Sequence, residues 1–118
     1  MNVEWSAFRN LDYTSIKAYV PVSAGIYLFY VKLKDETWRC YYVGQADNLE
    51  QRLLDHISSN EQNECIKNHV SNHVNGYRCA KIGRQGDRDG VERFLYDHFK
   101  PECNKIVPSG SPMGVNLP

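Results

Sequence analysis

The chain has 118 residues, 14 Lys and Arg balanced by 14 Asp and Glu, and 42% apolar residues. That length fits one domain and excludes a second, since independent domains run to roughly 100–150 residues, and it supports a core without covalent staples. The zero net charge excludes a strong sequence-independent binder of nucleic acid, which shows a basic excess that neutralises phosphates, so any polyanion site must be local.

No apolar run reaches the roughly 18 residues of a membrane span, and residues 1–8 lack the basic start and apolar stretch of a signal peptide. A soluble, cytoplasmic protein with no membrane partner is therefore expected. Cys40, Cys65, Cys79 and Cys103 lie far apart with no C-x-x-C pair, a spacing that belongs neither to a zinc ribbon nor to a redox dithiol. The even count permits two disulfides, but without a secretion signal buried free thiols are the expectation.

In chain order, residues 1–22 form a leading segment in which Asp12 to Tyr19 is a predicted short helix, ended ahead of Pro21. Residues 25–33 are rich in aromatic and β-branched types and apolar on both alternations, the pattern of a strand covered on both faces. Residues 38–44 read the same way, and the polar Lys34-Asp35-Glu36-Thr37 between them predicts a hairpin. If that loop holds an even number of residues, facing positions sum to an odd number such as 69 or 71. Tyr27 and Tyr42 then share a sheet face, opposite or diagonal to one another.

Asp47 with Glu50 three residues later predicts a helix start, and the stripe Leu49, Leu53, Ile57 carries that helix to about residue 57. At about 100° per residue Arg52 and His56 sit one turn apart on one edge of the stripe. A second helix is predicted from Glu61 to Val74, stopped by Asn75-Gly76, and a third strand from Tyr77 to Ile82. Gly83 to Gly90 reads as a mobile loop. Val91 to Lys100 is the last helix, with Val91, Leu95, His98 and Phe99 as its buried stripe and Glu92 at the margin. Residues 106–118, with three prolines and two glycines, form an irregular tail.

Two tyrosines on one sheet face, an Arg–His pair on a helix edge and a carboxylate at the edge of another helix are parts for phosphodiester cleavage. Tyrosine or histidine takes a proton from water, arginine neutralises charge growing on phosphate, and a carboxylate holds a divalent ion beside the leaving oxygen. Each residue type also has a bland use, as a sheet aromatic, a solvated helix edge or a first-turn glutamate that complements a helix dipole.

Gly25-Ile26-Tyr27, then Tyr42-Val43-Gly44, then Asn48-Leu49 with Arg52 and His56, then Glu92, then Pro101 and Asn104 together resemble the GIY-YIG nuclease family. The resemblance covers residues 23–105 of a single domain 1–118. It implies an α/β (α+β) fold with a three-stranded antiparallel sheet flanked by helices in the order β-β-α-α-β-α, the order read above from the residues alone. It also implies a DNA endonuclease using one magnesium or manganese ion held by Glu92. Tyr27 and Tyr42 would then activate the attacking water, one of them as base; Arg52 would grip the scissile phosphate, His56 assist with protons or phosphate, and Asn104 brace the site.

Two departures from the family pattern stand out. The hairpin between the tyrosines is longer than in the shortest members. Gln45 follows Gly44 where excision-repair members carry a lysine thought to lower the pKa of the base, so a phenolate base here would make activity climb from pH 7 to 9. Gly44 and Gln45 beside the tyrosines, Lys67 and His69 on the second helix, and Arg84 and Arg88 in the glycine-rich stretch are the expected nucleic-acid contacts. Cys65, His69 and His73 share a helix face, but a zinc site would need a fourth ligand and the outer two lie about 12 Å apart by the helical rise. DNA, single-stranded, duplex or branched, is the implied partner, with delivery by a larger protein as a variant. The alternative reading is a nucleic-acid-binding or partner-recruiting module that keeps the fold without turnover.

Overall fold

The computed structural model describes residues 1–118. Asp12 caps the first helix, α1 (Tyr13–Tyr19), by accepting from the Ser15 amide. Strand β1 (Arg9–Asn10) precedes it. Strands β2 (Gly25–Lys32) and β3 (Trp38–Ala46) form the predicted hairpin. Helices α2 (Leu49–Ile57) and α3 (Glu64–Asn72), strand β4 (Asn75–Lys81) and helix α4 (Gln85–Phe99) follow. The sheet is antiparallel in the order β1-β4-β2-β3, so the aromatic β2 is central, as its two apolar alternations require.

Those alternations divide the core. Tyr27, Phe29 and Val31 pack on one sheet face with Ile16 of α1, Leu49 and Leu53 of α2 and Ile66 of α3. Ile26 and Leu28 pack on the other with Val91 and Leu95 of α4 and Val115 of the tail. Burying each such side chain contributes about 1.5–3 kcal/mol.

The sheet has four strands where three were expected. The extra strand, β1, has two residues with no patterning of their own and exists only through pairing with Tyr77 and Gly76. The cap of α2 is Asn48, not Asp47: its side chain accepts from the Gln51 amide. Helix α3 runs from Glu64 to Asn72, shorter than expected at both ends. Helix α4 starts at Gln85 and takes in most of the stretch read as a loop. Inside that helix position 90 is a glycine because the tail lies against it: a Cβ there would come within 2.8 Å of the Met113 side chain, and the Met113 amide donates to the Gly90 carbonyl. The tail is irregular, as read, but pinned: the amide of Val3 and the indole of Trp5 both donate to Asn116. His98 is exposed rather than part of the buried stripe.

The hairpin parity is resolved by a bulge. Lys32 faces Trp38 and Tyr30 faces Cys40, but Phe29 faces Tyr42 and Tyr27 faces Gly44. Tyr41 is the extra residue, and this shift places both Tyr41 and Tyr42 against the core cluster that contains Tyr27.

Cys40 and Cys79 are buried free thiols, as expected, whereas Cys65 and Cys103 form a disulfide across 38 residues. That pairing is a tertiary contact between α3 and the segment after α4, which no spacing rule reports. Closing a loop of this length constrains the unfolded chain by about 4 kcal/mol. Reducing the metal-free protein is therefore expected to lower its unfolding free energy by about 3–4 kcal/mol in chemical denaturation. A loss below about 1 kcal/mol would mean that the packing alone closes the loop.

Candidate active site

The site opens at one end of the β2–β3 hairpin, as a cavity of about 600 Å³ lined by Tyr42, Gln45, Arg52, His56, Glu61 and Glu92 among others. Gly44 makes it possible. Directly opposite Tyr27, Gly44 has no room for a Cβ, which would collide with the Tyr27 ring and hydroxyl. The phenol thus lies flat over the neighbouring strand and reaches α2.

There the Tyr27 hydroxyl meets Nε2 of His56 at 2.7 Å, and Nδ1 of His56 forms a short contact with a carboxylate oxygen of Glu61. The other Glu61 oxygen accepts from the Asn63 amide. Glu61 is thereby fixed at both oxygens, in the connection between α2 and α3. Burial, reinforced by the Arg52 guanidinium, holds the His56 imidazolium below its usual range, against the opposing pull of Glu61. The neutral ring has one donor and one acceptor. With Nδ1–H donating to Glu61, Nε2 accepts from the Tyr27 hydroxyl.

Tyr27 is almost fully buried, and burial pushes its pKa well above 10, with nearby Tyr42 adding to the shift and Arg52 opposing it. Tyr42 is half-buried and also raised by burial; its ring centroid is 6.1 Å from that of Tyr27 and 5.4 Å from the His56 ring. Arg52, one turn before His56, is exposed at the cavity; it forms no ion pair, and its guanidinium lies against the Tyr27 hydroxyl with its other donors open to an anion.

Glu92 lies on α4 across the cavity. Burial raises its pKa, and its hydrogen-bond partner is the Gln45 side-chain amide, 3.0 Å away, which also donates to Asp89 at 2.8 Å. Gln45 in turn accepts from Gln85 and Arg88. Asn104 pairs with both backbone groups of Val43, accepting from its amide at 3.0 Å and donating to its carbonyl at 2.8 Å, and so holds the edge strand β3 between Tyr42 and Gly44.

Comparison with protein-family models and with curated proteins finds no match. Comparison with solved structures does. The GIY-YIG N-terminal endonuclease domain of UvrC from Thermotoga maritima, as a Tyr→Phe variant bound to its catalytic divalent cation, superimposes with a TM-score of 0.59 at 19% identity, covering 80% of this chain and 100% of that one. A second Tyr→Phe variant gives 0.58, also at 19% identity, over 79% of this chain and 99% of that one. An Asn→Ala variant gives 0.57 at 16% identity, over 80% and 100%. The chain has the GIY-YIG fold.

Within this GIY-YIG fold, Tyr27, Tyr42, Arg52, His56, Glu92 and Asn104 converge on one region, with Gln45 beside Glu92. The other expected nucleic-acid contacts do not line the cavity. Gly44 is buried beneath Tyr27. Arg88 is buried, with five hydrogen bonds to Ile82, Gly83, Asp47, Gln85 and Gln45, and serves as an internal tie at the start of α4 rather than a clamp for a strand. His69 is buried against the Tyr41 ring and bonded to Glu102. Lys67 and Arg84 are exposed. The residue that sequence reasoning missed is Glu61, read as the start of the second helix and found instead behind His56.

Proposed function

We propose that this chain is an endonuclease that hydrolyses DNA phosphodiester bonds with one divalent ion, magnesium or manganese. The observation that carries the reading is the line Glu61–His56–Tyr27, whose Glu61 and His56 line the same cavity as the Arg52 guanidinium and a carboxylate with no cationic partner, with the Tyr27 hydroxyl directly behind them. The similarity to a UvrC domain bound to its catalytic divalent cation supports it.

The donors present fit a hard cation. Magnesium is typically held by one or two carboxylates and keeps several waters, and Glu92 offers a half-buried carboxylate facing a roomy cavity. Glu92 would hold the ion, whose charge would offset that growing on the phosphate and leaving oxygen. The chain's own groups do the rest. As water attacks phosphorus, its proton passes to the Tyr27 oxygen while the Tyr27 proton moves to Nε2 of His56, and Glu61 steadies the imidazolium that forms. Tyr42 presents its hydroxyl to the water from the cavity wall. Arg52 grips the non-bridging phosphate oxygens with a planar fork, and Asn104 keeps β3 and both flanking residues in register. With no net charge, the chain holds DNA through this narrow contact set, with Lys105 at the rim and Lys67 and Arg84 farther out, or receives it from a delivering protein.

Purified protein incubated with end-labelled single-stranded, duplex and branched DNA should cut at least one of them with magnesium or manganese and none with a chelator. Binding without cutting under every metal condition would leave a nucleic-acid-binding module instead.

The proton route sets the pH dependence. Because burial keeps Tyr27 protonated, a free phenolate is not the resting base and the climb from pH 7 to 9 expected from sequence gives way to a different profile. The competent state needs His56 neutral, and its pKa is lowered from 6.5, so single-turnover rates should rise with pH only below about 6.5 and stay level from 7 to 9. Glu61→Gln should cost about 10²-fold in rate with DNA binding kept, and should move the acid limb to lower pH, since Glu61 raises the His56 pKa. A steep rise between pH 7 and 9 would return the base role to a phenolate.

A further inference from the structure

We propose that Cys65, Cys103 and His69 form a second metal site, distinct from the Glu92 cavity, which binds a zinc-type cation when the disulfide is reduced. The two sulfurs and a ring nitrogen of His69 all lie within 4.8 Å of one another. They come from two directions: Cys65 and His69 are one turn apart on α3, and Cys103 arrives on the segment that follows α4. The sequence alone offers only the helix face Cys65, His69, His73, whose ends are too far apart to share an ion; the fold replaces the distant His73 with Cys103.

The donor chemistry is that of a borderline-soft cation, two thiolates and an imidazole, and differs from the hard carboxylate at Glu92. Zinc bonds of about 2.3 Å to sulfur and 2.0–2.1 Å to nitrogen give ligand-to-ligand edges of about 3.3–3.8 Å. The Cα atoms of the two cysteines are 5.3 Å apart, so the reduced sulfurs reach such an edge by side-chain rotation without backbone movement. His69 also has the orienting partner that ligating histidines use: Glu102 lies 2.9 Å from its Nε2 and holds that nitrogen as a donor, which leaves Nδ1, now hydrogen-bonded to Nδ1 of His73 at 3.3 Å, to exchange that contact for a metal. A water would supply the fourth ligand that zinc takes.

The chemistry balances through thiol exchange. Two equivalents of a small thiol, or one dithiol, supply two electrons and two protons, leaving the reagent as its disulfide and Cys65 and Cys103 as thiols; metal binding then releases the two thiol protons. Either crosslink, covalent or metal, ties α3 to the segment carrying Asn104, and the Asn63 side chain, which caps α3, donates to the Cys103 carbonyl beside it. The site thus keeps the β3 brace in place under reducing conditions.

Cobalt(II) is the probe, because cobalt bound to thiolate shows an intense near-ultraviolet charge-transfer band and no cysteine lines the Glu92 cavity. The 118-residue chain reduced with an excess of a phosphine, then titrated anaerobically with cobalt chloride, should gain that band with one-to-one stoichiometry, and zinc should displace it. Oxidised protein should show no band. Cys65→Ser and Cys103→Ser should each remove or halve it, and Glu102→Gln, at an exposed residue, should keep the fold and weaken cobalt binding about tenfold or more. Absence of the band in reduced parent protein, or its persistence at full intensity in both cysteine variants, would overturn the site. Neither outcome touches the DNA-cleavage reading, which is scored separately on magnesium.

Discussion

Glu92→Gln should abolish DNA cleavage while leaving the protein folded. The substitution keeps the shape of a side chain at a helix margin, where changes typically cost less than about 0.5 kcal/mol. Its amide still meets Gln45, by accepting through its carbonyl as the carboxylate does now. What it loses is the negative charge across the cavity from Arg52 and Tyr42. A metal's charge is worth several kcal/mol to the transition state, so cleavage in magnesium should fall by at least about 10³-fold. Thermal unfolding and DNA binding should be close to those of the parent. A folded variant that cuts at the parent rate would remove Glu92 from the metal site and leave the half-buried carboxylate with no chemical use.

Arg52→Lys should cost on the order of 10²–10³ in cleavage rate, the usual loss for one well-placed transition-state donor. A lysine retains the charge but not the planar pair of donors, and Arg52 is in no ion pair that would hold it away from phosphate, Glu61 attracting it only from beyond contact. DNA binding in the absence of metal should change little. Equal losses in binding and rate would mark Arg52 as a backbone contact with no share in the transition state.

The parts of the site that were legible in the sequence are those set by local periodicity. Tyr27 and Tyr42 share a face because strand alternation puts them there, and Arg52 and His56 share an edge because four residues make about one helical turn. Even so, the parity of the hairpin was open until the bulge at Tyr41 restored the odd sum that the tyrosines need. Glu61 was out of reach for a different reason. It stands in an irregular connection whose path is set by the Ser58 turn and the Asn63 cap, and its role exists only because that path returns its carboxylate to His56. Arg88 shows the converse: in a glycine-rich stretch it reads as a free cation, yet the helix extends back through Gly86 and Gly90 and turns its guanidinium inward to the Ile82 and Gly83 carbonyls. The Cys65–Cys103 pairing is equally non-local, and the free thiols Cys40 and Cys79 carry nothing in their spacing that sets them apart from it.

Under the proposed reading, a divalent ion and the Tyr27 line act together in the cavity between α2 and α4. Locating manganese by its anomalous scattering, in crystals of the protein held with a short DNA carrying a non-cleavable linkage, tests it most directly. One manganese peak on the Glu92 carboxylate, with the phosphate against Arg52 and a water beside the Tyr27 and Tyr42 hydroxyls, is the predicted result, and the peak should vanish in Glu92→Gln. Manganese bound elsewhere, with the phosphate outside this cavity in a protein that still cuts the natural linkage, would contradict it.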